Sequence, residues 1–77
     1  MRTYVATYTI DTPYSMDKFF DVNSTRNIKY KFIEEREKTI CYLTIIANNR
    51  LQLRKFKHDS LKILKKYGKV NLIVGVG

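Results

Sequence analysis

The sequence predicts an α+β protein: a βαββα(β) two-layer sandwich whose antiparallel sheet carries two helices on one face. Three observations lead there. Side chains alternate with period two over residues 3–10, 27–34 and 38–47, as strands require. An apolar stripe with helical period runs through residues 48–67 and stops at Gly68. A Thr-Pro pair after the first alternating segment marks a further helix start.

The first strand sets Tyr4, Ala6, Tyr8 and Ile10 on one face and Thr3, Val5, Thr7 and Thr9 on the other. β-branched and aromatic residues suit a half-buried pleated surface. Thr12 as N-cap and Pro13 at the first helical position open a short helix, with Met16, Phe19 and Phe20 at helical spacing. Asn23, Ser24 and Thr25 end it after Val22. The second strand turns Ile28, Tyr30 and Phe32 inward against Lys29, Lys31 and Ile33. Glu34, Glu35, Arg36 and Glu37 then break the pattern over a hairpin-like length. The third strand is apolar on both sides, with Cys41, Leu43, Ile45 and Ala47 on one and Ile40, Tyr42 and Ile46 on the other. It is therefore expected to be central and buried on both faces.

Asn48 or Asn49 caps the second helix, which is expected to reach Tyr67 and to end at Gly68 as a left-handed C-terminal residue. At 100° per residue, Leu53, Phe56, Ser60, Ile63, Leu64 and Tyr67 share an arc of about 100°, the width of a core-facing stripe. A last short strand over residues 69–74 aligns Val70, Leu72 and Val74. The whole is one domain, residues 1–77, with no repeat and no room for a second core.

Charge is the least even property of the chain. Seven basic residues, Arg50, Arg54, Lys55, Lys57, Lys62, Lys65 and Lys66, stand against Asp59 alone, so one helix holds +6 of the formal +8. Arg54, Lys55, His58, Lys62, Lys65 and Lys66 gather on the arc opposite the core stripe, with Leu51 at its centre. A solvated surface helix usually intersperses acids that pair at i, i+4. A single-sign stripe instead points to a polyanion, because clustered cations release counterions on meeting phosphates.

Other chemistries find little support. Cys41 sits among apolar strand residues as a small core hydrophobe, and with His58 as the single histidine there is no zinc spacing. No Gly-rich phosphate loop occurs, the final GVG lacking the lysine and following helix of a cradle. A nucleophile with its base is not recognisable, so neither an enzyme nor a cofactor is expected. An RNA-recognition module would need a basic residue, glycine and spaced aromatics on its third strand, which here reads KTICYLTI. The N-terminus shows no secretory pattern, and no apolar run approaches the roughly 18 residues of a membrane span. A soluble, cytoplasmic protein is the expectation.

The stretch ICYLTIIANNRLQLRKFKHDSLKIL, following a βαβ opening, resembles the small dimerisation subunit of KEOPS, the complex that installs threonylcarbamoyl on adenosine in transfer RNA. In that family a central strand ends in alanine, an acidic residue follows two positions on, and the next helix bears Leu-Arg and an Asn-Ser pair. Ala47, Leu53 and Arg54 match by type and spacing. Asn49 stands where the acidic residue is expected, and His58 and Asp59 replace the Asn-Ser pair, which suits a divergent paralogue. Family members are mostly βαββα, so the last strand is a further departure. The resemblance implies a non-catalytic subunit that forms a homo- or heterodimer, docks on a catalytic subunit and helps to hold transfer RNA.

Two functional readings follow. In the first, Arg54, Lys55, Lys57, Lys62, Lys65 and Lys66 contact phosphates of transfer RNA or another nucleic acid, giving affinity without base specificity. In the second, the helix docks in an acidic protein groove, with Leu51 and His58 as partner contacts. A small DNA-binding regulator is disfavoured, because no helix-turn-helix pair precedes the basic helix.

Overall fold

The computed structural model describes residues 1–16, 24–36 and 38–77. Four strands, β1 (Arg2–Asp11), β2 (Ile28–Glu35), β3 (Lys38–Ala47) and β4 (Lys69–Val76), form one sheet in the order β2-β3-β1-β4. Every neighbouring pair is antiparallel. One helix among the described residues, α1 (Arg50–Leu64), lies across β3 and β1. The α+β class therefore holds. The expected first helix falls mostly on residues 17–23, outside the described residues. Its described beginning, residues 12–16, is not helical: the Tyr14 N–H donates to Thr12 Oγ1 at 3.1 Å, a local turn. Met16 is nonetheless buried in the core.

Alternation dictates the sheet's two faces. Tyr4, Ala6, Tyr8 and Ile10 from β1 meet Cys41, Leu43, Ile45 and Ala47 from β3 and Ile28 and Tyr30 from β2, all buried beneath α1 with Leu53 and Leu64. Full burial of such an aliphatic side chain contributes about 1.5–3 kcal/mol, so this face supplies the folding free energy. The Tyr4 and Tyr8 hydroxyls lie 3.0 Å apart inside it. Burial, reinforced by the hydrogen bond to Tyr4, pushes the Tyr8 phenol above its usual range. Burial also pushes the Cys41 thiol up to about 12, in keeping with an inert core cysteine.

The opposite face differs from expectation. β3 is central, but only one of its faces is buried: Tyr42 and Ile46 are exposed and Ile40 is half-exposed. Apolar side chains on both sides of a strand say nothing about whether a second layer exists to cover them. Thr3, Val5, Thr7 and Thr9 of β1 share this open face, as do Lys29, Lys31 and Ile33 of β2. The β2–β3 hairpin is tighter than the four-residue break suggested. Glu34 pairs with Thr39 and Glu35 with Lys38, so only residues 36 and 37 lie between the strands.

β4 corrects a simple alternation. Thr7 faces Val74 but Tyr8 faces Leu72, so Ile73 is an extra residue, a β-bulge that moves Val74 to the other side of the sheet. Val70, Leu72 and Val74 thus do not form one buried stripe, and Leu72 and Val74 are both exposed.

Candidate nucleic-acid interface

α1 starts where the asparagines place it. Asn49 is the N-cap, its Oδ1 accepting the Gln52 N–H at 2.8 Å, while Gln52 Oε1 accepts the Asn48 N–H at 2.7 Å. The Gln52 N–H, one of the amides left free by the first turn, and the Asn48 N–H just before the cap are thereby satisfied, an arrangement related to the capping box with the glutamine reaching one residue further back. The start of the helix is locked to the end of β3, and with it the direction in which the outer face points.

The seat of the helix follows the predicted stripe. Leu53, Ser60 and Leu64 are buried, and Phe56, Ile63 and Tyr67 are half-buried against the core. Ser60 Oγ donates to the Phe56 carbonyl at 2.7 Å, which lets a polar residue lie on the sheet side of a helix. Burial pushes the buried Tyr30 phenol above its usual range, and the Ser60 hydroxyl partly offsets that push. Leu61 joins this seat as well, outside the predicted arc.

The C-terminal end departs from expectation. The helix stops at Leu64, and Lys66 and Tyr67 N–H groups bond the carbonyls of Ile63 and Leu64 at 3.1 and 3.0 Å, a tightened final turn. Gly68 is not left-handed, since the one positive-φ glycine among the described residues is Gly77. Gly68 is required for closeness instead. A Cβ there would stand 1.9 Å from the Asp11 carbonyl oxygen. The backbone leaving α1 passes directly against the end of β1, and Tyr67 packs edge-on to Tyr14 at 6.4 Å beside it.

With the inner face seated, the outer face is fixed. Arg54, Lys55, His58, Lys62, Lys65 and Lys66 are all exposed, together with Arg50. A 15-residue helix is about 22 Å long, so the arginines and lysines among them form a ridge that can face several phosphates. Lys62, Lys65 and Lys66 stand at the negative pole of the helix, where cations are favoured. Leu51, 75% exposed, lies within the ridge beside a shallow depression of about 600 Å³ lined by Asn49, Leu51, Gln52, Arg54, Lys55 and His58. The structure thus brings Leu51 and His58 together.

Lys57 is the exception among the predicted contact residues. It is half-buried, with its ammonium 4.4 Å from the centroid of the Tyr4 ring. The aromatic face attracts the cation and its aliphatic stem covers apolar surface, so Lys57 serves the helix–sheet contact and leaves the outer ridge. Sequence reasoning passed over a second basic element. On the open face Lys31 faces Tyr42 and Lys29 faces Thr44 across the β2–β3 ladder. The alternation of β2 had already placed these two lysines together.

Compared with protein-family models, curated proteins and solved structures, the chain matches none. The likeness to the KEOPS subunit rests on the residues quoted above. Among the described residues, no three of His, Cys, Asp and Glu gather as metal ligands, and no helix is long and apolar enough to cross a membrane.

Proposed function

We propose that this protein is a non-catalytic subunit that holds RNA phosphates against the outer face of α1. The observation that carries the reading is the exposed ridge of Arg54, Lys55, Lys62, Lys65 and Lys66, with Asp59 as the one acid of the helix. Phosphate contacts of this kind position a nucleic acid without reading its sequence. The ligand is therefore RNA recognised by its backbone, with transfer RNA the form suggested by the KEOPS resemblance, and modification of that RNA belongs to a catalytic partner. The βαββα(β) order with two helices on one face, self-association and a cytoplasmic setting complete this reading.

A salt series tests it. With five cations each neutralising one phosphate, log K for transfer RNA should fall against log salt with a slope of about −3.5 to −4.5. A slope near zero overturns the reading. The exposure of Leu51 in the middle of the ridge favours a second reading, in which α1 docks on an acidic protein groove around that leucine. Leu51→Ala separates the two. It leaves RNA affinity within about twofold if phosphates are the ligand, whereas removing a buried anchor weakens a protein complex by about tenfold or more.

A further inference from the structure

We propose that β4 pairs antiparallel with β4 of a second copy of this chain, joining two four-stranded sheets into one continuous sheet across a twofold axis. The two edges of the sheet differ in a way that points there. β2 carries Lys29, Lys31, Glu34 and Glu35, charges that discourage a further strand from adding. β4 reads KVNLIVGV and has neither charge nor proline after Lys69. Among the described residues it pairs with β1 on one side only. Leu72, Ile73, Val74 and Val76 are 52–69% exposed.

These side chains lie on both sides of the sheet. Leu72 stands opposite Tyr8 on the α1 side, whereas Val74 and Val76 stand opposite Thr7 and Val5 on the open side. A layer stacked on either face would leave the other set in water. A strand added at the edge reaches both.

The bulge identifies the strand that fits. Reading from Lys69 to Leu72, the residues lie on the open side, the α1 side, the open side and the α1 side; Ile73 has no partner on β1; Val74, Gly75 and Val76 then lie on the open side, the α1 side and the open side. On the two flanks of Leu72 and Ile73 this order is the same in both directions, with its centre between those two residues. An antiparallel second copy centred there therefore matches side for side on both flanks of the bulge: Asn71 meets Val74, Val70 meets Gly75 and Lys69 meets Val76, with Leu72 across from Ile73 of the second copy. An unbulged strand would fall out of step at Ile73. Pairing of one surface with itself is the geometry of an isologous dimer.

Charge permits this arrangement. The two Lys69 residues lie at opposite ends of the seam. Each α1 rests over β3 and β1, so at ~4.8 Å per strand the helix axes are held about 20 Å apart, beyond a Debye length of ~8 Å. No cation between Val70 and Val76 would select an acidic strand instead. The dimer rests on the proposed function for its self-association and gives that self-association a surface; because it needs no nucleic acid, its failure and that of the basic ridge are told apart.

The test is the mass in solution, measured without RNA over a concentration series, of wild type, Leu72→Lys/Ile73→Lys and Ile33→Lys/Ile46→Lys. Wild type should approach twice 9.2 kDa as concentration rises. Placing four lysines at the axis should weaken the dimer by about 100-fold or more, while the open-face pair leaves it unchanged. Should the seam variant lose its fold, Leu72→Cys and Ile73→Cys proteins are mixed under oxidant. The mixture should cross-link between unlike copies faster than either protein alone, with the buried Cys41 not competing. A wild type that stays monomeric, a folded seam variant that stays dimeric, dissociation by the open-face pair, or cross-linking no faster in the mixture would each overturn the proposal.

Discussion

Replacing Lys62, Lys65 and Lys66 together with glutamate lowers transfer-RNA affinity by at least ~100-fold at physiological salt and leaves the fold in place. The magnitude follows from counterion release. At ~0.15 M salt each lost phosphate contact removes about 0.7 log units of affinity, so three neutralised contacts remove about two, and reversed charges add repulsion. The fold survives because all three side chains are exposed and none belongs to the core cluster. Glutamates at the negative pole of α1 do oppose the helix dipole. The Lys→Gln triple variant, which lacks that effect, should still lose about 100-fold. Binding by gel shift, beside far-UV circular dichroism of each variant, checks both halves. Unchanged affinity in a folded triple variant would remove the ridge from the binding site.

Gly68→Ala should destabilise the protein by about 1–3 kcal/mol, the usual cost of forcing atoms into occupied space. For a domain of this size each kcal/mol lowers Tm by about 4–8 °C. The obstacle is main chain: the new Cβ would stand 1.9 Å from the Asp11 carbonyl oxygen and 3.2 Å from Thr12 Cα. Neither can swing aside as a side-chain tip would. Gly68→Asn separates this cause from a left-handed cap. Asparagine tolerates the left-handed region, so a conformational requirement would make it mild, whereas the close approach makes it at least as costly as alanine. Thermal melts of the three proteins decide between them.

These cases show what the chain discloses and what it withholds. Period-two alternation placed β1, β2 and β3 and sorted the residues of each into two faces, because the pleat alone decides which residues share a side. A cap at Asn48 or Asn49 and the seat of α1 were legible for the same local reason. Whether a face is covered is not local. Ile40, Tyr42 and Ile46 looked as buried as Cys41 and Leu43, yet no described element covers them. The bulge in β4 is one residue of extra backbone, invisible in KVNLIVGV without its partner strand. Gly68 was recognised as necessary, but its cause is the neighbouring end of β1, far away in sequence. Lys57 lies at the border of the core stripe, where its stem is drawn inward by Tyr4, which lies more than fifty residues before it.

At the candidate site, composition and the helical wheel were enough to find Arg54, Lys55, Lys62, Lys65 and Lys66, since a seated apolar stripe forces the opposite arc outward. The same geometry supplies a competitor. Lys29 and Lys31 lie beside Tyr42 on the open face, and an aromatic with cations on a sheet can stack and hold single-stranded bases. The measurement that tests the central claim most directly is an NMR titration of labelled protein with transfer RNA. The account predicts that amide and side-chain shifts concentrate on Arg54, Lys55, His58, Lys62, Lys65 and Lys66 of the α1 ridge. Shifts confined to Lys29, Lys31, Tyr42 and Thr44 would contradict it and move the RNA to the open face of the sheet.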